Sequence, residues 1–166
     1  MKLFRRLGMY LSLSIIELVH IVRFWLAVFR GDTGAQGARV ILVDDRRVLL
    51  VSHWYAPWTW TLPGGGVNKS ETPEEAAMRE AYEETGLKVR SIAGEIGTYT
   101  GSMGKKDKLK VFYTGDFEGS LAMRPNLEIM ARSWFDLDSL PDELSPGNKR
   151  RIQSYKDGVR NEIAKW

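Results

Sequence analysis

The chain contains no cysteine. That absence excludes disulfide frameworks, thiolate zinc sites and cysteine nucleophiles together, and is compatible with a reducing cytoplasm without requiring one. No internal repeat is visible, and 43% apolar with 27% charged residues is the composition of a globular protein, not of a disordered tail. The 166 residues suit one domain of ordinary size, able to bury a core without metal or disulfide staples. A strong charge of one sign is also missing from most of the chain. Residues 1–30 carry Lys2, Arg5, Arg6, Arg23 and Arg30 against Glu17, a net +4, which leaves 19 basic and 20 acidic residues elsewhere. A folded nucleic-acid binder displays a basic patch of its own, so no specific nucleic-acid partner is expected.

The basic excess accompanies a long apolar stretch, Leu7 to Phe29, interrupted by serines and by Glu17, His20 and Arg23. Its length would span a bilayer, but Glu and Arg near the centre of a spanning helix cost about 2.5–3.5 kcal/mol each. On a helical wheel Leu11, Ile15, Leu18, Val22, Trp25 and Phe29 fill one sector, opposite Arg6, Glu17, His20 and Arg23. The arm therefore reads as an amphipathic helix. It fits a peripheral anchor for the cytoplasmic face of a membrane, with Lys2, Arg5 and Arg6 drawing it to anionic lipid. It also fits a helix packed on its own domain or on a second subunit of a homodimer, or a cleaved signal. Residues 1–37 are assigned to this arm and linker, and residues 38–166 to the main domain.

Beyond "RGDTGAQG" the pattern turns to short apolar runs. "ARVILVD" and "RVLLVS" predict two strands joined at Asp44–Arg46, and "HWYAPWTWTLPGGG" predicts a loop leading to a short strand, Trp60 to Leu62. "KVRSIAGEIGTYT", "KLKVFYTGDF" and "IMARSWFDL" predict further strands. Ile152, Tyr155, Val159 and Ile163 recur at helical spacing near the end. Strands on both sides of a central helix, with a helix at the end, imply an α/β sandwich.

The central helix has an explicit start: Thr72 as N-cap, Pro73 at the first position and Glu75 completing a capping box. Gly86 supplies the stop. Within it, Glu80, Glu83 and Glu84 share a sector about 100° wide, while Ala77, Met78, Ala81 and Tyr82 occupy another suited to packing on a sheet. Crowded glutamates alone describe a solvated face, since a like-charge i,i+4 pair costs only about 0.2–0.5 kcal/mol. Their spacing from the glycine triplet is what sets them apart. Gly65, Glu71, Arg79-Glu80, Ala81, Glu83-Glu84 and Gly86-Leu87 match G-x5-E-x7-R-E-U-x-E-E-x-G-U at every fixed position. This resembles the Nudix box of the Nudix hydrolases.

The resemblance, which covers the chain from about Ala38, implies an α/β/α sandwich with a mixed sheet. It implies hydrolysis of a pyrophosphate bond in a nucleoside diphosphate linked to another moiety, with Mg²⁺ or Mn²⁺. It makes Glu80, Glu83 and Glu84 metal ligands, and one of them, or a glutamate from a later loop, the base for the attacking water. The chemistry of the residues agrees: an anionic diphosphate needs cations in its site, and hard cations take carboxylate and carbonyl oxygens. The Gly64 carbonyl and Glu128 are further candidate ligands. Arg79, i,i+4 from Glu75 and Glu83, is expected to orient the carboxylates, and Gly65, Glu71 and Gly86 to serve as scaffold. His53, Trp54, Tyr55 and Trp58 could stack a substrate base, and equally could be core or loop packing.

Rival motifs fail. "GGGVNKSE" lacks the Gly before Lys of a P-loop, and no G-x-G-x-x-G opens a helix. The Cys-dependent isomerases that share the fold are disfavoured by the missing cysteine. Some ADP-ribose-cleaving relatives carry a proline shortly beyond the box, but none occurs here between Leu87 and Arg124, so a general nucleotide is the expected substrate. A nucleotide sensor without turnover and a membrane-tethered interaction module are the alternatives to an enzyme.

Overall fold

Alternation of apolar side chains builds the first two strands. In β1 (Gln36–Asp44) Ala38, Val40 and Leu42 point to one side and Ile41 to the other, and in β2 (Arg47–His53) Leu49 is separated in the same way from Val48 and Leu50. Strands buried on both faces need a cover on each. The computed structural model describes residues 36–101, 107–121 and 128–166, all within one unit, Gly34–Trp166. The expected amphipathic helix of residues 7–29 lies outside the described residues.

Among the described residues the main sheet runs β10-β6-β7-β1-β2-β3, with β4 paired to β1 and β9 to β2. The strands are β3 (Ala56–Thr61), β4 (Gly64–Gly66), β6 (Gly94–Thr100), β7 (Lys108–Thr114), β9 (Ile129–Asp136) and β10 (Glu162–Lys165). Pairing is parallel between β1 and β7 and between β10 and β6, and antiparallel elsewhere, so the sheet is mixed. β5 (Lys88–Val89) and β8 (Phe117–Glu118) form a separate two-stranded ribbon. Helix α1 (Pro73–Thr85) covers the Val40 face through Ala76, Ala77 and Ala81, and α2 (Pro146–Lys156) covers the Ile41 face through Ile152. The expected α/β/α sandwich is thus the observed one. Among the described residues no helix is long and apolar enough to cross a membrane.

Three local expectations are corrected. "HWYAPWTW" is not a loop: the chain turns at Trp54 and Tyr55 and returns at once as β3. Pro57 is tolerated because β3 ends the strand order, where a missing N–H breaks no ladder on the open side. The long runs after α1 each divide, into β5 with β6 and into β7 with β8. The terminal helix stops at Lys156: Gly158 at φ 74 and Asn161 at φ 55 turn the chain, and Ile163 stands 86% exposed in β10 instead of continuing a helical stripe.

β10 is paired to β6 and further held by one buried cation. Arg151 on α2, 4% exposed, places its guanidinium 3.8 Å above the Tyr99 ring and 5.6 Å from that of Trp166. Its Nη1 donates to Glu162 Oε2 at 3.2 Å, and the Tyr99 hydroxyl donates to the same oxygen at 3.0 Å. Glu162 is 35% exposed, so solvent cushions the loss of its partner, and Arg151→Leu should lower the unfolding free energy in urea by about 1–2 kcal/mol through the lost hydrogen bond and ring contact. Tyr99→Phe should lower it by about 1 kcal/mol for its lost hydrogen bond. Equal, negligible losses in both would show that the cluster does not hold β10.

Candidate active site

The glycine turn and α1 meet because β4 is stitched to β1. Gly64, Gly65 and Gly66 pair with Arg39, Ala38 and Gly37, and Val40 N–H donates to the Pro63 carbonyl at 3.0 Å. Gly64 adopts φ 147, and a Cβ there would lie 2.2 Å from the Ala38 carbonyl oxygen, so no other residue fits. A Cβ on Gly65 would lie 2.4 Å from Glu80 Oε1. The interval between Gly65 and Glu80 in the motif is therefore a physical contact, a carboxylate laid against bare backbone.

α1 begins as its sequence requires. Thr72 Oγ1 accepts from Glu75 N–H at 3.2 Å and Glu75 Oε2 accepts from Thr72 N–H at 2.7 Å, while Gly86 closes the helix at φ 82. Glu75 is therefore occupied by the cap and is not the Arg79 partner that i,i+4 spacing led us to expect. Tyr82, 40% exposed, does not join the packing face either; Glu84, 4% exposed, and Thr85 are buried instead.

Arg79 organises the acidic face with every nitrogen. Its Nε and Nη2 grip Glu71 at 3.0 and 2.7 Å, a bidentate fork, and Nη2 also donates to the Gly66 carbonyl at 3.0 Å. Its Nη1 donates to Glu80 Oε1 at 2.8 Å and Glu83 Oε2 at 3.2 Å. The guanidinium holds the Glu71 carboxyl down at about 2, and Arg79 itself is pushed far above its ordinary range by the same pair. Glu71 and Arg79 thus tie the loop to the helix.

Glu84 faces the opposite problem. Burial pushes its carboxyl up to about 8, against the Gly64 N–H, which donates to Oε2 at 2.9 Å, and the charge of Arg39; Glu80 and Glu128 raise it further. Glu80 is likewise raised by burial, with Arg79 opposing and Glu83 and Glu128 adding. Glu128 is exposed beside the start of β9, where its carbonyl accepts from Trp54 N–H at 3.0 Å. The structure therefore brings Glu80, Glu83, Glu84 and Glu128 into one electrostatic neighbourhood.

Among the described residues no three carboxylate or histidine groups converge into a ready-made metal geometry; Arg79 Nη1 lies between Glu80 and Glu83. The donor set nevertheless fits a hard divalent cation. It consists of oxygen ligands only, two of its carboxyls are raised by burial, and the bare backbone of Gly65 lets the Glu80 carboxylate lie against the turn.

The aromatic candidates separate by depth. A register shift between Ser52 and His53 interrupts β2 against both β3 and β9, the kind of bulge that re-aims a side chain. His53 ends 6% exposed, its Nε2 3.4 Å from Thr61 Oγ1 and 3.9 Å from Glu84 Oε1, with its ring stacked on Tyr55 at 4.8 Å. Tyr55 and Trp54 are 51% and 47% exposed at the turn, and Trp58 is 83% exposed on β3.

Two arginines escaped the sequence reading. Arg39 of β1 donates from Nη1 to the Leu62 carbonyl at 2.6 Å, and Arg132 of β9 donates from Nε to the main-chain carbonyl of Glu84 at the end of α1. Their one sequence signal is a lone cation inside an apolar strand run, "ARVILVD" and "IMARSWFDL", which does not say what the cation faces.

A carboxyl raised from 4.5 to about 8 is protonated in the folded chain where the unfolded chain ionises, so it costs stability as pH climbs through that interval. With chelator present, wild type should therefore lose stability relative to Glu84→Gln as pH rises from about 5 to 8. Added Mg²⁺ should close the gap. Thermal unfolding measured across that range would refute the assignment if the two proteins kept a constant difference.

Comparison with known proteins shows the family of the chain. A family model described as "NUDIX domain" matches residues 34–156. The chain is 35% identical over 127 residues, 76% of its length and 83% of the relative's, to a Bacillus subtilis (strain 168) protein named "Putative 8-oxo-dGTP diphosphatase". It is 27% identical over 129 residues to Nudix hydrolase 25 of Arabidopsis thaliana, covering 66% of that protein. Among solved structures, the MutT NUDIX hydrolase from Burkholderia pseudomallei superposes with a TM-score of 0.65 at 26% identity, over 74% of this chain and 98% of that one.

Proposed function

The chain belongs to the Nudix family of hydrolases acting on phosphoanhydride bonds, and within it we propose a divalent-metal-dependent pyrophosphohydrolase of nucleoside diphosphates linked to another moiety. The observation that carries this reading is the buried Glu84 carboxyl, held by the Gly64 N–H in a cluster with Glu80, Glu83 and Glu128. Burying like charges together costs stability unless a cation or a proton offsets them, and a catalytic role is what warrants keeping them.

Glu80, Glu83, Glu84 and the Gly64 carbonyl would hold Mg²⁺ or Mn²⁺, with Glu128 as a further ligand. When bound, the cation would neutralise the diphosphate and sharpen the acidity of the water near it. The chain's own groups do the rest. A water oxygen forms a bond to phosphorus, the bridging P–O bond breaks, and the water's proton passes to a carboxylate, for which Glu83 and Glu128 are the solvent-exposed members of the cluster. Arg79 ties Glu80 and Glu83 to one guanidinium nitrogen and so aims them, from the scaffold of Gly65, Glu71 and Gly86. Trp54, Tyr55 and Trp58 supply aromatic surface for a base, with His53 packed behind Tyr55. The relative's name makes 8-oxo-dGTP a member of the substrate panel.

The N-terminal arm is proposed as distinct from the hydrolase domain, with the boundary drawn before Gln36, where β1 begins, instead of at residue 38. The basic and apolar character of residues 1–30 fits contact with the cytoplasmic face of a membrane, and a homodimer through the same segment is the alternative.

The purified chain should release phosphate or pyrophosphate from at least one member of a nucleotide panel in Mg²⁺. Glu84→Gln should reduce kcat by about 100-fold or more. No turnover of any member, together with a Glu84→Gln protein that binds metal like wild type, would sink the reading. For the arm, the full chain should cosediment with anionic vesicles; a chain that ignores them and dimerises through residues 1–30 would reverse the preference.

A further inference from the structure

We propose that Arg39, outside the Nudix box, is a positioning residue that seats Glu84 by clamping the Leu62–Gly64 turn. The proposal rests on the reading of Glu84 as a metal ligand. Arg39 stands on β1 directly opposite Gly64, and its stem fills the space a Gly64 side chain would need: an added Cβ would lie 2.6 Å from Arg39 Cα and 2.8 Å from Cγ. Its Nη1 donates to the Leu62 carbonyl at 2.6 Å, two residues before the N–H that donates to Glu84 Oε2 at 2.9 Å. The same side chain therefore braces the turn at its start and packs under it at Gly64.

Its charge is used as well. Burial pulls the Arg39 guanidinium below its ordinary range, and the carboxylates of Glu84 and Glu80, together with Tyr55, work against that. Arg39 is half-buried, and a guanidinium drawn that far from water is costly unless anions act on it; here those anions are Glu84 and Glu80. Its hydrogen bond to Leu62 and its packing under Gly64 both act on the turn that supplies the hydrogen bond to Glu84.

Groups that orient metal ligands typically cost 10- to 100-fold in metal affinity when removed. The test is Mn²⁺ binding to the metal-stripped full chain, followed by electron paramagnetic resonance, with thermal unfolding beside it. Arg39→Gln should weaken Mn²⁺ about tenfold and lower kcat with KM within about twofold of wild type, because Arg39 aims a ligand and does not touch substrate. Arg39→Lys should recover part of the affinity, since an ammonium can still donate to Leu62. In a Glu84→Gln background Arg39→Gln should add less than about a twofold change, as expected when both act through one group.

Arg39→Gln that folds and binds Mn²⁺ within about twofold of wild type, while Glu84→Gln loses binding, would overturn the role of Arg39 alone. Glu84→Gln that binds like wild type would instead overturn the ligand reading beneath it. If Arg39→Gln shows no cooperative unfolding, Arg39→Met, which keeps the stem against Gly64, carries the same comparison. Failure of both to fold would make Arg39 a structural residue and end the proposal.

Discussion

The most buried member of the acidic cluster, Glu84, is seated by a hydrogen bond from the Gly64 amide, 2.9 Å long. Glu84 is 4% exposed, and desolvation alone would favour its neutral form. An oriented N–H and a nearby guanidinium partly offset that cost without neutralising it. The result is a carboxyl whose charge the protein supports only in part, a condition under which a metal cation stabilises it further.

Much of the surrounding structure serves to bring that amide to that carboxyl. The amide must come from a backbone position with no side chain, because the Ala38 carbonyl and the Arg39 stem crowd Gly64. The carboxyl must come from the last turn of a helix whose start is pinned by Thr72 and Glu75 and whose flank is pinned by the Arg79–Glu71 fork. Arg132 holds the far end through the Glu84 carbonyl. A cation at a helix C-terminus also complements its dipole, and α1 has no basic residue in its own last turn.

The parts of the site legible in sequence are those specified by local rules. The cap, the glycine stop and the shared sector of Glu80, Glu83 and Glu84 follow from helix geometry within fewer than four turns. Local rules also misled: spacing offered Glu75 to Arg79, but the cap took it, and helical spacing carried the terminal stripe on to Ile163, but Gly158 and pairing with β6 made it a strand. "HWYAPWTW" looked like loop because Pro and aromatics were weighed without knowing that β3 would be an edge strand, where both are tolerated.

By itself the sequence determined the alternation that makes β1 and β2 two-faced, the bounds of α1, and a motif spacing that implies carboxylate chemistry. Only tertiary structure decided that Gly65 and Glu80 are in contact, that the charge of Glu128 is felt at Glu84, and that Arg39 holds the Leu62 carbonyl while Arg132 holds that of Glu84. The physical reason is range. Helix periodicity and capping act over a few residues of chain, whereas strand pairing joins positions such as Arg39 and Gly64, or Val51 and Arg132, that no local period relates.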